Sequence, residues 1–599
     1  MMNDHSDPSL SPDIRFQLIK KIECHKVIGL TGYALLEHEA TYLEFHRLSG
    51  VILFDRNMSS LSQVSELVES VVEKLSVDGL PPLVMADHEG DFVSELRRLI
   101  GIPPAALAIA ATGDPQLAHD VAYETGTAMA KLGVNVVLAP VADCYLTPES
   151  PITGLRTFGR DPERVAEFVS QSIKGFQHAG IFACVKHFPG HGSTGDDSHE
   201  QLPEVSKSLD DLRALDLVPF ARAVRDGVDL VMTAHVAYNL GDGRDDQTPA
   251  SFDGRMMRTL LRDEMGFEGV VITDALEMEG ARIHARARYG GLTGGFERSI
   301  LAGSDLLLYA SPVPERLALQ EDSEPMIAVE VMQTIIETLH KVVDRGRIDR
   351  KLEEAAKSNE GIRNLLHILD TSEGRIRRLR GRAREFGAAP TPKPDGNVIR
   401  LQDYASMPAI YKTVAERSLV LVRDPKSFLP VGPNQEWVLL PVVFQPGESL
   451  KSQDLESFTE GIVRRFPLWK TTPLVIGFNT DSSGRVQPLF APRERELVLD
   501  AQRATGADLA TEQLPDNAAV VPLFSARGRP PEESLNVLAE FVTQRQVPFI
   551  VVTGAPIYDW VPESVGCLLT LGASPQVAAA VASVLAGQAQ ATGSLEGLV

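Results

Sequence analysis

The sequence predicts an α/β chain in which a (β/α)8 TIM-like barrel is followed by a smaller α/β sandwich domain. Three observations point there. Eight short runs rich in Val, Ile and Leu recur before Ser311, separated by amphipathic helix-like stretches, the pattern of parallel strands buried on both faces. Polar residues close strand after strand at the C-terminal end, where a barrel gathers its substrate groups at one mouth. A Pro-rich segment then leads into a second alternation of strand-like and helix-like runs.

In chain order the strands are HKVIGLTG (His25–Gly32), GVILFDR (Gly50–Arg56), PLVMADHE (Pro82–Glu89) and VNVVLAPVAD (Val134–Asp143). IFACVKHF (Ile181–Phe188), DLVMTAHVAY (Asp229–Tyr238), GVVITDAL (Gly269–Leu276) and DLLLYAS (Asp305–Ser311) complete the barrel. Their polar ends are Asp55–Arg56, Asp87–His88–Glu89, Asp143, Lys186–His187, His235 and Asp274. A single such end is a cap or a turn; this many on one barrel ask for another reason. Past the barrel comes a charged helical stretch, Met326–Phe386, whose basic run RIRRLRGRAR (Arg375–Arg384) reads as the solvated face of a helix at a domain end. The expected division is residues 1–386 for the barrel with its helical extension, 387–397 (GAAPTPKPDGN) for a linker, and 398–599 for the second domain. Strand-like runs there, such as RSLVLVRD, PLVIGFN, PFIVVTG and CLLTLGA, suggest a mostly parallel sheet, and no GxGxxG nucleotide fingerprint accompanies them.

With 599 residues the chain exceeds one compact core, in keeping with that division. A formal charge of −23 disfavours nucleic acid or an anionic membrane as partner. The cysteines, Cys24, Cys144, Cys184 and Cys567, are scattered, which fits neither a disulfide framework nor a zinc ribbon. The polar start, and the lack of an apolar run of about 18–20 residues, lead to the expectation of a cytoplasmic protein, monomer or homodimer.

One stretch concentrates chemistry: CVKHFPGHGSTGDDSH (Cys184–His199). A metal site built from His187, His191, His199 and Asp197 is one reading, although Pro189, Gly190, Gly192 and Gly195 break any helical spacing and Lys186 would set a cation beside the metal. A phosphate cradle is another, although the glycines do not match a P-loop; a purely structural loop is a third. The fourth is acid/base work on a glycine-hinged loop. Asp197 and His199 are two apart, so extended backbone puts both on one face, where the carboxylate fixes the imidazole tautomer. An imidazole titrates near neutrality, which suits an acid that must later act as a base.

These residues resemble glycoside hydrolase family 3, in its β-N-acetylglucosaminidase branch. KHFPGHGSTGDDSH resembles the signature loop of that branch, and VVITDALEMEG (Val270–Gly280) the family's nucleophile strand. GVILFDRN, APVADCYLTPESPITGLRTFGRDP, MTAHVAY and AGSDLLL match in the family's order over roughly Gly29–Tyr309. The resemblance implies Asp274 as nucleophile, His199 as general acid/base and Asp197 as its partner. It also implies Asp87, Arg156, Lys186 and His187 as the lining of the sugar subsite, with a small carbohydrate as substrate and neither metal nor organic cofactor. One departure stands out. Where the family runs D-x-E-G-G-R-V-x-R, this chain has DHEGDFVSEL, so Asp91 and Phe92 replace Gly and Arg, and Glu95 replaces the sugar-binding arginine. Exchanging a donor fork for an acceptor changes a hydroxyl contact, and Arg97 and Arg98 are the nearest replacements.

The implied reaction is retaining exo-hydrolysis of terminal β-linked N-acetylglucosamine through a covalent glycosyl-aspartate, with peptidoglycan fragments as substrates. Two alternatives stand beside it: a phosphorylase, because a histidine acid/base does not repel phosphate, and a catalytically impaired sugar-binding protein, because of Phe92 and Glu95. The second domain is expected to be a packing or oligomerisation module.

Overall fold

The computed structural model describes residues 21–147, 150, 152–194, 202–240, 247–312, 360–385, 408–423, 438–439, 470–471, 477–480, 486–489, 550–553, 566–572, 574–585 and 588–596. All eight expected barrel strands are present: β1 (Lys26–Gly29), β2 (Gly50–Leu53), β3 (Leu83–Ala86), β4 (Val136–Val137), β5 (Phe182–Phe188), β6 (Leu230–Thr233), β7 (Val270–Thr273) and β8 (Leu307–Pro312). They pair in parallel in the order β7-β6-β5-β4-β3-β2-β1-β8, and a parallel bridge from Ile272 to Leu306 all but closes the ring. β4 is short because Pro140, two residues after Leu138, has no N–H to offer the ladder.

Strand residues alternate between two apolar layers, as a period of two requires. Val27, Ile52, Met85, Val136, Phe182, Met232 and Ile272 fill the barrel, while their neighbours Ile28, Val51, Val84, Val137, Ala183, Val231 and Val271 face the surrounding helices.

The inner layer is completed from below by Ile376, Leu379 and Ala383 of the helix Glu360–Glu385, which forms the barrel floor. This corrects the solvated-face reading of the basic run in part, since Arg382 and Arg384 are exposed as that reading expects. Arg377 and Arg378 are exposed, but Arg380 is only 7% exposed and donates to the carbonyls of Leu75, Leu80 and Pro81 at 2.9, 3.0 and 2.7 Å. Burial and the neighbouring Arg377 push its guanidinium down to about 10. Arg382 pairs with Asp229 at 2.7 Å and lies 5.2 Å from the Phe182 ring centroid. An arginine stem packs on apolar surface while its head finds oxygen, and a charge count along the sequence cannot see that.

The C-terminal part packs on the barrel's flank. Tyr411, in the helix Ala409–Ser418, shares a buried hydrogen bond of 2.6 Å with Thr125, and Leu569 and Leu571 join the barrel's outer apolar layer. The sheet there is mixed among the described strands. Ile550–Thr553 and Gly566–Leu569 are parallel, but Val420–Arg423 runs antiparallel to the latter and Gly477–Thr480 antiparallel to Val486–Leu489. Among the described residues no helix is long and apolar enough to cross a membrane.

Candidate active site

Strands β2, β3 and β5 to β8 deliver their C-terminal ends to one cleft of about 360 Å³, and the segment Ile152–Arg156 after β4 adds to its wall. Five of the residues singled out by the sequence line it: Asp87, Arg156, Lys186, His187 and Asp274. His199 and Asp197 lie outside the described residues.

Asp274 directly follows β7, and its amide still donates to Thr233 O at 3.2 Å, so the residue is mounted on the sheet itself. Its Oδ1 accepts from the Ala275 N–H at 2.7 Å, which fixes the carboxylate plane. It is not a helix cap, because the next helix begins at Glu279 with Met278 before it.

Beside it runs a buried ionic chain. Lys186 Nζ donates to Asp87 Oδ1 at 2.7 Å and lies 2.6 Å from Glu89 Oε1. Arg156 grips Glu89 with a two-pronged contact, Nε to Oε2 and Nη2 to Oε1, both 2.8 Å. Burial alone would push the Glu89 carboxyl up, but Arg156 and Lys186 together hold it well below the usual carboxylate range. Burial would likewise lower Lys186, yet Asp87 and Glu89 raise it above the ordinary lysine value. Arg156 does not pair with Asp161, which caps the helix Pro162–His178 through Arg164 N–H at 2.9 Å.

His187 donates through Nδ1 to Asp143 Oδ2 at 2.7 Å, while Asp143 Oδ1 accepts the amides of His187 and His191 at 3.2 and 2.6 Å. Asp143 is fully buried; burial opposes its charge, but His187 outweighs burial and keeps its carboxyl low. This assigns the proton to Nδ1, so in the neutral ring Nε2 accepts rather than donates. His191, pushed down to about 4 by burial and by His187, stays neutral.

The root of the signature loop is pinned. Tyr238 donates to Gly190 O, and a Cβ at Gly192 would fall 1.7 Å from Cys144 O. These glycines serve close approach there rather than a hinge.

Glu95 spends its side chain on the scaffold: Oε2 accepts the Asp55 N–H at 2.8 Å. Arg97 donates to Ser94 O and Phe92 O at 3.0 and 3.2 Å, and Arg98 pairs with Asp55 at 3.0 Å, so neither replaces the missing donor fork in the cleft. Phe92 and Val93 line it instead, making that wall apolar. Sequence reasoning missed Glu89, Asp143, His191 and Glu277 as members of the site. The first two were visible as polar strand ends; His191 stands in the signature stretch but is weighed there only as a metal ligand, and Glu277 is read only as part of the nucleophile motif.

A parallel barrel whose mouth sets carboxylate acceptors and cationic donors around one strand-mounted aspartate is the equipment of a carbohydrate-cleaving barrel enzyme. The chain belongs to glycosyl hydrolase family 3, whose N terminal domain it matches over residues 19–358. A beta-hexosaminidase of Thioalkalivibrio sulfidiphilus is 38% identical over 298 residues, covering 49% of this chain and 82% of the relative. A beta-hexosaminidase of Alkalilimnicola ehrlichii is 33% identical, covering 58% and 98%. The solved family 3 beta-N-acetylglucosaminidase of Paenibacillus sp. FPU-7 aligns over 98% of both chains, with 25% identity and a TM-score of 0.73. The protein is thus a glycoside hydrolase.

Proposed function

We propose that this hydrolase is a retaining, exo-acting β-N-acetylhexosaminidase that releases terminal β-linked N-acetylglucosamine. In the first displacement an Asp274 oxygen attacks the anomeric carbon while His199 gives its proton to the departing glycosidic oxygen. In the second, His199 takes a proton from water, the oxygen of that water attacks the same carbon, and the Asp274 carboxylate leaves. Two inversions give net retention. Asp197 holds the imidazole in the required tautomer. Asp87 accepts from sugar hydroxyls; Lys186 and Arg156 donate to hydroxyl or acetamido oxygens, and His187 offers Nε2.

The observation that carries this reading is the mounting of Asp274 in one cleft with the Asp87–Lys186–Glu89–Arg156 chain. Two of the three Lys186 donors face carboxylates, leaving one for a ligand. The acetamido sugar in this reading is taken from the solved family 3 beta-N-acetylglucosaminidase. The substrates are peptidoglycan-derived fragments met in the cytoplasm, handled by a barrel unit of residues 1–386 joined through 387–397 to a second unit, 398–599. No metal or organic cofactor takes part in the scheme.

A fluorinated glycosyl donor that stalls the second step tests it. The label is expected on the peptide Val270–Gly280; a label elsewhere, or none with turnover intact, overturns the covalent mechanism.

A further inference from the structure

Phe92 sits at the turn of a short hairpin, His88–Gly90 with Val93–Ser94, and reaches the cleft wall although the hairpin itself is not part of the barrel sheet. A two-stranded hairpin of this size is not stable alone. Something must hold it, and the contacts show what does.

The Asp91 N–H donates to Pro103 O at 2.9 Å. A Cβ on Gly90, whose φ is +128°, would meet Pro104 O at 2.3 Å. The hairpin therefore leans on the segment Ile102–Pro104. That segment is held in turn from the C-terminal part of the chain: Gln576, only 1% exposed, donates through Nε2 to Ile102 O at 2.9 Å. A second contact comes from the loop before that residue's helix, Pro575–Leu585. A Cβ on Gly572 would lie 3.5–3.6 Å from the Asp91 carboxylate, an ordinary contact distance, so this loop residue lies beside the hairpin turn, and its φ of +154° is what favours glycine. The loop is itself fixed: Thr570 Oγ1 donates to Gly572 O at 2.7 Å, and Leu571 is fully buried in the barrel's outer apolar layer.

We infer that Gly572 and Gln576, the latter in the first turn of the helix Pro575–Leu585, form a clamp on the Asp91–Phe92 turn, and that Gln576 is a positioning residue that sets the Phe92 wall of the substrate cleft. The second unit thus shapes substrate binding through this contact. A clamp of this kind changes how well the glycoside fits, so it acts on KM and leaves the chemical step alone. That role rests on the N-acetylhexosaminidase reading; the clamp itself does not.

The test uses the full chain with Gln576→Ala, Phe92→Ala and the double variant, assayed on an aryl β-N-acetylglucosaminide, with backbone hydrogen exchange followed in parallel. Gln576→Ala is expected to raise KM about 3–10-fold, the size of one lost buried hydrogen bond, with kcat within about twofold. In the Phe92→Ala background the same change should add nothing. Exchange should quicken at Asp91 and Glu95 and hold in β5 to β7. An unchanged KM, an equal penalty in both backgrounds, or a fall in kcat alone overturns the positioning role. Should Gln576→Ala not fold, Gly572→Ala takes its place, with the same expectations and the same overturning results. If the wild-type enzyme leaves the aryl glycoside intact, the functional reading fails, and hydrogen exchange still decides the clamp: no change at Asp91 overturns it.

Discussion

Asp305 and Asp274 occupy opposite ends of the barrel and are used in opposite ways. Asp305, at the floor, accepts from Arg262 at 2.6 Å, Val271 N–H at 2.8 Å, Ser372 at 2.8 Å and Arg375 at 3.0 Å. Internal donors use both of its oxygens. At the mouth, Asp274 is held by a neighbouring amide and lines open space, and Glu277 next to it keeps one buried oxygen without a partner among the described residues. A carboxylate saturated by the protein has nothing left for a ligand; one that lines open space can still meet one. The ionic chain of Asp87, Lys186, Glu89 and Arg156 lies between these cases, internally paired yet facing the cleft.

The largest effect should come from the mouth. Asp274→Ala is expected to lower kcat by on the order of 10⁴-fold while the melting temperature stays within a few degrees. A large loss of stability would mean the two ends are not divided as described. The mirror experiment is Asp305→Ala, which strands two arginines at the floor and should cost about 3–5 kcal/mol in denaturant unfolding. Activity per folded molecule should be retained; a drop in kcat/KM would show that the floor reaches the chemistry.

Glu89→Gln probes the intermediate case. Since the folded state holds the Glu89 carboxyl below its ordinary value, its contribution to stability is complete above about pH 4.3 and fades as pH falls toward the folded value. Wild type should therefore exceed the variant at pH 7. The gap should close by at most about 1.4 kcal/mol per pH unit below the ordinary value, measured by melting at pH 7 and 3. A constant gap would remove ionisation of Glu89 as its cause. The smallest effect is expected at Glu277→Gln, where relief of an unpartnered buried oxygen should offset any lost charge contact, leaving stability within about 0.5 kcal/mol or slightly raised. A clear loss would place Glu277 with Asp305 among the saturated acids.

The barrel was legible because its signal is local. Apolar runs mark the strands and a polar residue after each marks the mouth, so Asp87, Lys186, His187 and Asp274 could be placed together before any coordinates. What stayed hidden depends on partners distant in sequence. Glu89 reads as one more polar strand end until Arg156, 67 residues on, closes around it. Arg380 reads as a solvent charge until the carbonyls some 300 residues earlier, Pro81 and Leu80, are brought to it. The exchange of the expected arginine for Glu95 was visible, but its meaning was not, because the Asp55 amide that it satisfies lies 40 residues earlier, in the turn after β2.

The floor helix has a consequence for how the molecule is made. β8 ends at Pro312, but the residues that seal the bottom of the barrel, Ile376, Leu379 and Ala383, come much later. A nascent chain has therefore synthesised every strand of the ring well before it can shut out water from below. Any fragment meant to stand by itself has to run to Glu385, and one cut soon after the last strand would leave an apolar well open to solvent and to its neighbours.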